Sequence, residues 1–279
     1  MAQENLTTLK NDILKQFSSV EGNFALAFLE LDQKGEHIYI NEKENFHAAS
    51  TMKTPVMIEV FKQADEGKFS LDDSLIVKNR FKSIVDSSEF SLSLSDDSGE
   101  GLYKFIGQKM SIRDLVYNMI TVSSNLATNI LIDLVGAKNV MATMKNIGAD
   151  DIRVLRGVED LKAFDKGLNN TTTAYDLMII FKRIAEGTVV SKEACKEMIK
   201  ILCDQKLNTK IPAKLPIGIK IAHKTGSISG VEHDSGIIYL PNGKTYILVM
   251  LAKNLTDMQK GVEAEANISK MIYDYMIQD

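Results

Sequence analysis

The 279-residue sequence is poor in the residues and runs on which several classes of protein depend. It has only two cysteines, Cys195 and Cys203. Both fall in one helical pattern, which separates them by about 12 Å, beyond the ~7 Å a disulfide spans. Two free thiols are expected, and cysteine usage leaves the compartment open. The four histidines, His37, His47, His223 and His233, show no metal-ligand spacing, and no metal or other cofactor is expected. Gly-rich phosphate loops and internal repeats are absent. No apolar run reaches the ~18 residues that suggest a membrane span. Basic residues number 33 against 37 acidic ones, a net charge of −4. The concentrated basic face that nucleic acid or an anionic membrane requires is therefore not expected. The Lys-rich stretch 192–200 alternates with Glu and apolar residues, as a solvated helix face does. The start, Met1-Ala2-Gln3-Glu4, has no basic-then-apolar leader. It fits either a cytoplasmic start or a start codon placed on a trimmed mature sequence.

What is present is a globular composition, 44% apolar and 25% charged, enough to bury a sizeable core. The 13 methionines are expected as core filling. Apolar spacing predicts a helix over 5–18 and two strands within 23–41, joined by a turn from Asp32 to Gly35. A helix is predicted from near Ser50 to Glu66, ended by Gly67. The Ser-rich stretch 79–107 reads as a long surface excursion. Helical patterns follow over 111–119, 125–135 and 137–146, then a large loop over 156–170 and helices from Thr172 and over 191–203. The chain returns to strands over 219–224, 234–240 and 244–252, the last two joined by the turn Pro241-Asn242-Gly243, and ends in a helix over 259–277. This order predicts an α+β fold. One antiparallel five-stranded sheet is flanked by the terminal helices and accompanied by an all-helical lobe. Residues 1–45 and 206–279 form the sheet lobe, residues 46–205 the helical lobe, and a substrate cleft lies between them.

Three short motifs carry chemistry. In Ser50-Thr51-Met52-Lys53 a lysine lies one helical turn beyond a serine, near enough to act as its base, and a helix start favours developing negative charge. Ser123-Ser124-Asn125 sets a hydroxyl and an amide on a turn between helices. Lys224-Thr225-Gly226-Ser227 ends an apolar strand with an ammonium, two hydroxyls and a glycine that lets a substrate approach the backbone. Taken singly, each also reads as an ordinary helix cap or strand end.

Together, and in this order, they resemble the S-x-x-K, S-D-N and K-T-G set of class A β-lactamases and penicillin-binding proteins. The resemblance is to the class A β-lactamase-like serine hydrolases, and it runs from the first helix to the last. It implies that Ser50 attacks a lactam carbonyl, with Lys53 as general base or proton relay. Ser123 would pass a proton to the departing nitrogen, and Lys224 would supply positive charge to Ser123 and to a substrate carboxylate. It further implies that Asn125 bonds the substrate side-chain amide, that Thr225 and Ser227 bind the carboxylate, and that the N–H groups of Ser50 and Ser227 form an oxyanion hole. The implied substrate is a small β-lactam and the implied home periplasmic or secreted; a monomer is expected.

The pattern breaks in three places. Ser124 stands where class A enzymes have Asp, although S-x-N of the penicillin-binding proteins is met, and a different brace for this turn is expected. The loop carboxylate that activates the deacylating water is best matched by Glu159, one residue late after Arg156, and the loop's closing Asp appears as Asn170. No Arg follows Lys224. Two alternatives therefore stand beside a β-lactamase: a D-alanyl peptidase or esterase, and a β-lactam-binding protein that acylates without hydrolysis. His233-Asp234 is a further candidate pair, weighed against a turn at the start of a strand.

Overall fold

The computed structural model describes residues 2–31 and 35–278. Of the turn predicted from Asp32 to Gly35, residues 32–34 lie outside them. Five antiparallel strands form the main sheet: β1 (Asn23–Glu30), β2 (His37–Ile40), β3 (Lys220–Ile228), β4 (Val231–Tyr239) and β5 (Thr245–Lys253), in the order β2-β1-β5-β4-β3. β1 pairs with β5 in register from Asn23↔Lys253 to Glu30↔Tyr246, which joins the two ends of the chain.

Side-chain alternation then divides the apolar residues between two cores. Phe24, Leu26 and Phe28 of β1 and Tyr246, Leu248 and Met250 of β5 face helices α1 (Ala2–Ser18) and α9 (Met258–Gln278), meeting Ile13, Phe17, Ile268 and Ile272. Ala25, Ala27, Ile247, Val249 and Leu251 face the opposite core, shared with α7 (Ala174–Ala185) and the rest of the helices. At the centre of that core is α2 (Lys53–Asp65), buried from Lys53 through Phe61. A helix covered all round needs no polar face, and Val56, Met57, Ile58, Val60 and Phe61 supply none. Around α2 stand α3 (Ile112–Thr121), α4 (Asn125–Val135), α5 (Ala137–Asn146) and α8 (Lys192–Cys203). α8 holds both cysteines as free thiols.

Three local expectations change. The stretch 79–107 is not a plain surface excursion: it pairs Phe81–Lys82 with Glu89–Phe90, and buries Ser83, Leu92, Asp97 and Leu102. The large loop contains a short helix, α6 (Leu161–Asp165). Strands β3 and β4 run on to a two-residue hairpin at Ser229-Gly230, with Gly230 at φ +73°. Thr225, Gly226 and Ser227 therefore lie inside a strand rather than beyond its end. Among the described residues no helix is long and apolar enough to cross a membrane.

Candidate active site

Ser50 sits in a 3₁₀ turn, Ala49–Met52, that runs directly into α2. The turn follows Phe46–His47, which pairs with Thr171–Thr172, and Ala49 adopts a left-handed backbone at φ +45°. The N–H of Lys53 returns to the Ser50 carbonyl and closes the turn. The Lys53 amine is buried and donates to the Ser123 carbonyl (2.6 Å), the Ser123 hydroxyl (3.1 Å) and Asn125 Oδ1 (2.9 Å). One-turn spacing suggested a direct bond to Ser50; instead the amine spans the cleft floor to the second motif. Burial lowers its pKa to about 7, against the opposing pull of the Asp97 and Glu159 carboxylates. An amine so placed is partly neutral near pH 7 and able to accept a proton.

Ser123 and Ser124 divide the work of the inter-helix turn. Ser124 is the N-cap of α4 and accepts the N–H of Ala127 (3.2 Å). Ser123 takes a left-handed φ of +59°, and its hydroxyl receives both Lys53 Nζ and Lys224 Nζ, the latter at 3.0 Å. Lys224, buried on β3, also donates to the Thr225 carbonyl at 2.9 Å. Burial, then the nearby Lys53 charge, hold its pKa well below the usual lysine value. Two buried lysines thus share one hydroxyl.

The expected brace comes from the 79–107 stretch. Asp97 is 3% exposed and accepts the N–H groups of Gly99 (2.7 Å) and Asn125 (2.9 Å) on Oδ1, and of Leu126 (2.8 Å) on Oδ2. The Ser124 hydroxyl donates to the same carboxylate at 3.3 Å. A carboxylate absent from the second motif is thus supplied by another segment. Gly99 makes the approach possible, because a Cβ there would lie 2.4 Å from Ser124 Cβ. The sequence signal was weak: Asp97 is one acidic residue in a polar, Ser-rich stretch.

Gly226 lies where two protein segments approach closely. A Cβ on it would stand 3.2 Å from Ala49 Cβ and 3.3 Å from Ser50 N, a tight contact that would require β3 or the Ser50 turn to give by a few tenths of an ångström. Ser50, Asn125 and Ser227 line both of two adjoining cavities, of about 260 Å³ and 720 Å³. Ser123 and Thr225 line the smaller and Glu159 the larger.

Glu159 reaches the site from the 156–170 loop at a left-handed φ of +61°. Its Oε1 accepts Asn125 Nδ2 at 2.8 Å, so Asn125 joins Glu159 to Lys53. Polar side chains, neutral and charged, tie the loop down. Asn129 exchanges hydrogen bonds with Val158, donating at 3.0 Å and accepting at 2.7 Å. Asn170 accepts the N–H of Leu155 and donates to the Arg156 carbonyl. Arg156 itself donates to the carbonyls of Leu168 and Gly157. Asp160 accepts from Ser83 and Ile84 of the buried excursion. Three of the six described non-glycine residues with positive φ, Ala49, Ser123 and Glu159, line or adjoin the cleft, as backbone outliers often do at functional sites.

The pair His233-Asp234 is not brought together as a catalytic couple. Asp234 faces His223 instead, 2.9 Å from its Nδ1. His233 is buried, with Nε2 on the His47 carbonyl and Nδ1 within reach of the Ala252 N–H. Burial lowers its pKa to about 4, so it is a neutral packing residue at ordinary pH. Among the described residues no group of three or more His, Cys, Asp or Glu side chains is arranged to hold a metal.

Comparison with known proteins addresses the family and the fold. The PER-1 extended-spectrum β-lactamase of Pseudomonas aeruginosa is 24% identical over 87% of this chain and 79% of its own length. A β-lactamase from Sphaerobacter thermophilus shares the fold at a TM-score of 0.83 and 28% identity, covering 96% of this chain and 97% of that one. A mutant of PBP-A, seen as an acyl-enzyme complex with penicillin G, matches at a TM-score of 0.83 and 28% identity, over 98% of this chain and 97% of that one. A model of the beta-lactamase enzyme family matches residues 8–276, and the chain belongs to that family.

Proposed function

We propose that the protein hydrolyses β-lactams through an acyl intermediate on Ser50. The observation that carries the reading is the convergence of Lys53 and Lys224 on the Ser123 hydroxyl, with Asn125 bonded to both Lys53 and Glu159. In this scheme neutral Lys53 accepts the Ser50 hydroxyl proton as Ser50 Oγ bonds to the lactam carbonyl carbon. The backbone N–H groups of Ser50 and Ser227 stabilise the oxyanion, an effect worth roughly 3–4 kcal/mol per donor. The C–N bond then breaks, and the nitrogen takes the Ser123 proton, which the neighbouring lysines replace. Glu159 removes a proton from water as that water attacks the ester. Product leaves and Ser50 recovers its proton.

Asn125 orients the substrate amide, Thr225 and Ser227 face the substrate carboxylate, and Gly226 keeps β3 close enough to do so. The protein acts as a monomer on small β-lactam molecules, in the periplasm or outside the cell. Intact-mass spectrometry after mixing with a penicillin tests this. A transient adduct, absent from Ser50→Ala, together with nitrocefin turnover is expected. Folded protein that forms no adduct overturns it. The second reading, a penicillin-binding D-alanyl peptidase or a non-hydrolysing acceptor, is favoured by Ser124, which fits S-x-N. A lasting adduct supports that reading instead.

A further inference from the structure

The smaller cavity contains a charged pair that the three motifs do not account for. Lys210, between α8 and β3, places its Nζ 2.7 Å from Oε2 of Glu232 on β4, and the two side chains are 5% and 8% exposed. Glu232 Oε1 accepts the Ser227 hydroxyl at 2.8 Å. All three residues line the cavity that holds Ser50, Ser123 and Thr225. Burial pulls the Lys210 pKa down, but the carboxylates of Glu265, Glu232 and Asp234 outweigh it and leave the ammonium above its usual value. Glu265 behind it is fully buried, neither of its oxygens has a hydrogen-bond partner among the described residues, and burial raises its pKa well above the usual range. Lys210 is charged, and the anion it meets in the cavity belongs to the protein.

We propose that Glu232 is a specificity-determining residue: an internal carboxylate that occupies the anion-recognition end of the cleft. This rests on the acyl-transfer reading, in which Ser227 and Thr225 face a substrate carboxylate. An anionic substrate must displace Glu232 from Lys210 and Ser227, which strands a buried charge, or settle beside it against like-charge repulsion. A neutral ester or amide at the same position meets neither obstacle. The cleft therefore discriminates against a free carboxylate relative to its neutral derivative, and the discrimination is set by Glu232 and Lys210 with opposite signs.

The test measures equilibrium binding of benzylpenicillin and its methyl ester to Ser50→Ala protein by calorimetry, so the readout does not depend on acyl transfer. In that background Glu232→Gln shifts the acid-to-ester Kd ratio toward the acid by about tenfold or more. Lys210→Gln, which leaves Glu232 without its ammonium, shifts the ratio toward the ester. Loss of packing alone would weaken both compounds alike and leave the ratio fixed. An unchanged ratio, shifts in the same direction for both variants, or no binding of either compound by Glu232→Gln overturns the inference. If Glu232→Gln does not fold, the direction of the Lys210→Gln shift decides. Failure of the wild type to form a penicillin adduct refutes the acyl-transfer reading separately.

Discussion

The two walls of the cleft are built in opposite ways. On one wall, Lys53, Ser123 and Lys224 are 0%, 5% and 0% exposed and stand on or beside elements of the main cores. On the other, Glu159 is partly exposed on a loop fixed by the amides of Asn129 and Asn170 and by Asp160. The first wall moves only if the fold does. The second is held by side-chain hydrogen bonds that reach it from Asn129 and Ser83 and that Asn170 and Asp160 make within it or from it. On the proposed mechanism acylation and deacylation depend on parts that are held differently, and single substitutions can separate them.

The largest expected effect is on the rigid wall. On the proposed mechanism Lys53→Met removes the base and should slow acylation by about 10²–10⁴-fold, read by stopped-flow with nitrocefin. Glu159→Gln should spare acylation and slow deacylation by about 10²-fold or more, so that the adduct persists in intact-mass spectra. Equal slowing of both steps would erase the contrast between the walls. In wild type, acylation should rise with pH through about 7, as Lys53 loses its proton, and level off above. The same depressed pKa affects stability. Between about pH 7 and the usual value of 10.5, the unfolded chain holds a proton on Lys53 that the folded protein does not. This group's contribution therefore makes stability increase as pH rises through that window, which urea unfolding with and without Lys53→Met checks.

Asp97→Ala leaves the N–H groups of Asn125 and Leu126 without their acceptor and should cost about 1–3 kcal/mol in urea unfolding, with slower acylation as Asn125 drifts. The smallest change is expected from Asn170→Ala, about 0.5–1.5 kcal/mol, acting on deacylation more than on acylation because it loosens only the neck of the loop.

The strands and helices were legible where one periodicity ran unbroken. The continuous apolar runs of β1 and β5 mark strands covered on both faces, and Val56, Met57, Ile58, Val60 and Phe61 mark a buried helix, although the buried Glu59 among them takes its hydrogen bonds from Gln63 and from Thr143 of a distant helix. Legibility failed where polar residues act at a distance. Asp97 is one acid in a Ser-rich stretch until the chain folds back and aims it at the α4 N-terminus. Lys210 and Glu232 are ordinary charges until β4 pairs with β3 and brings Glu232 opposite Ser227. The order His233-Asp234 suggested a pair that the strand forbids, because neighbours along a strand point to opposite faces.

By itself the sequence determined the α+β class, the order of the elements and the three motifs, because each is written in spacing over a few residues. Only the tertiary structure decided that Lys53 turns to Ser123 and Asn125 rather than to Ser50, that Asp97 takes over the missing brace, and that Glu232 fills one end of the cleft. Those outcomes depend on contacts between residues far apart in the chain, and on burial, which alone lowers a lysine pKa to about 7.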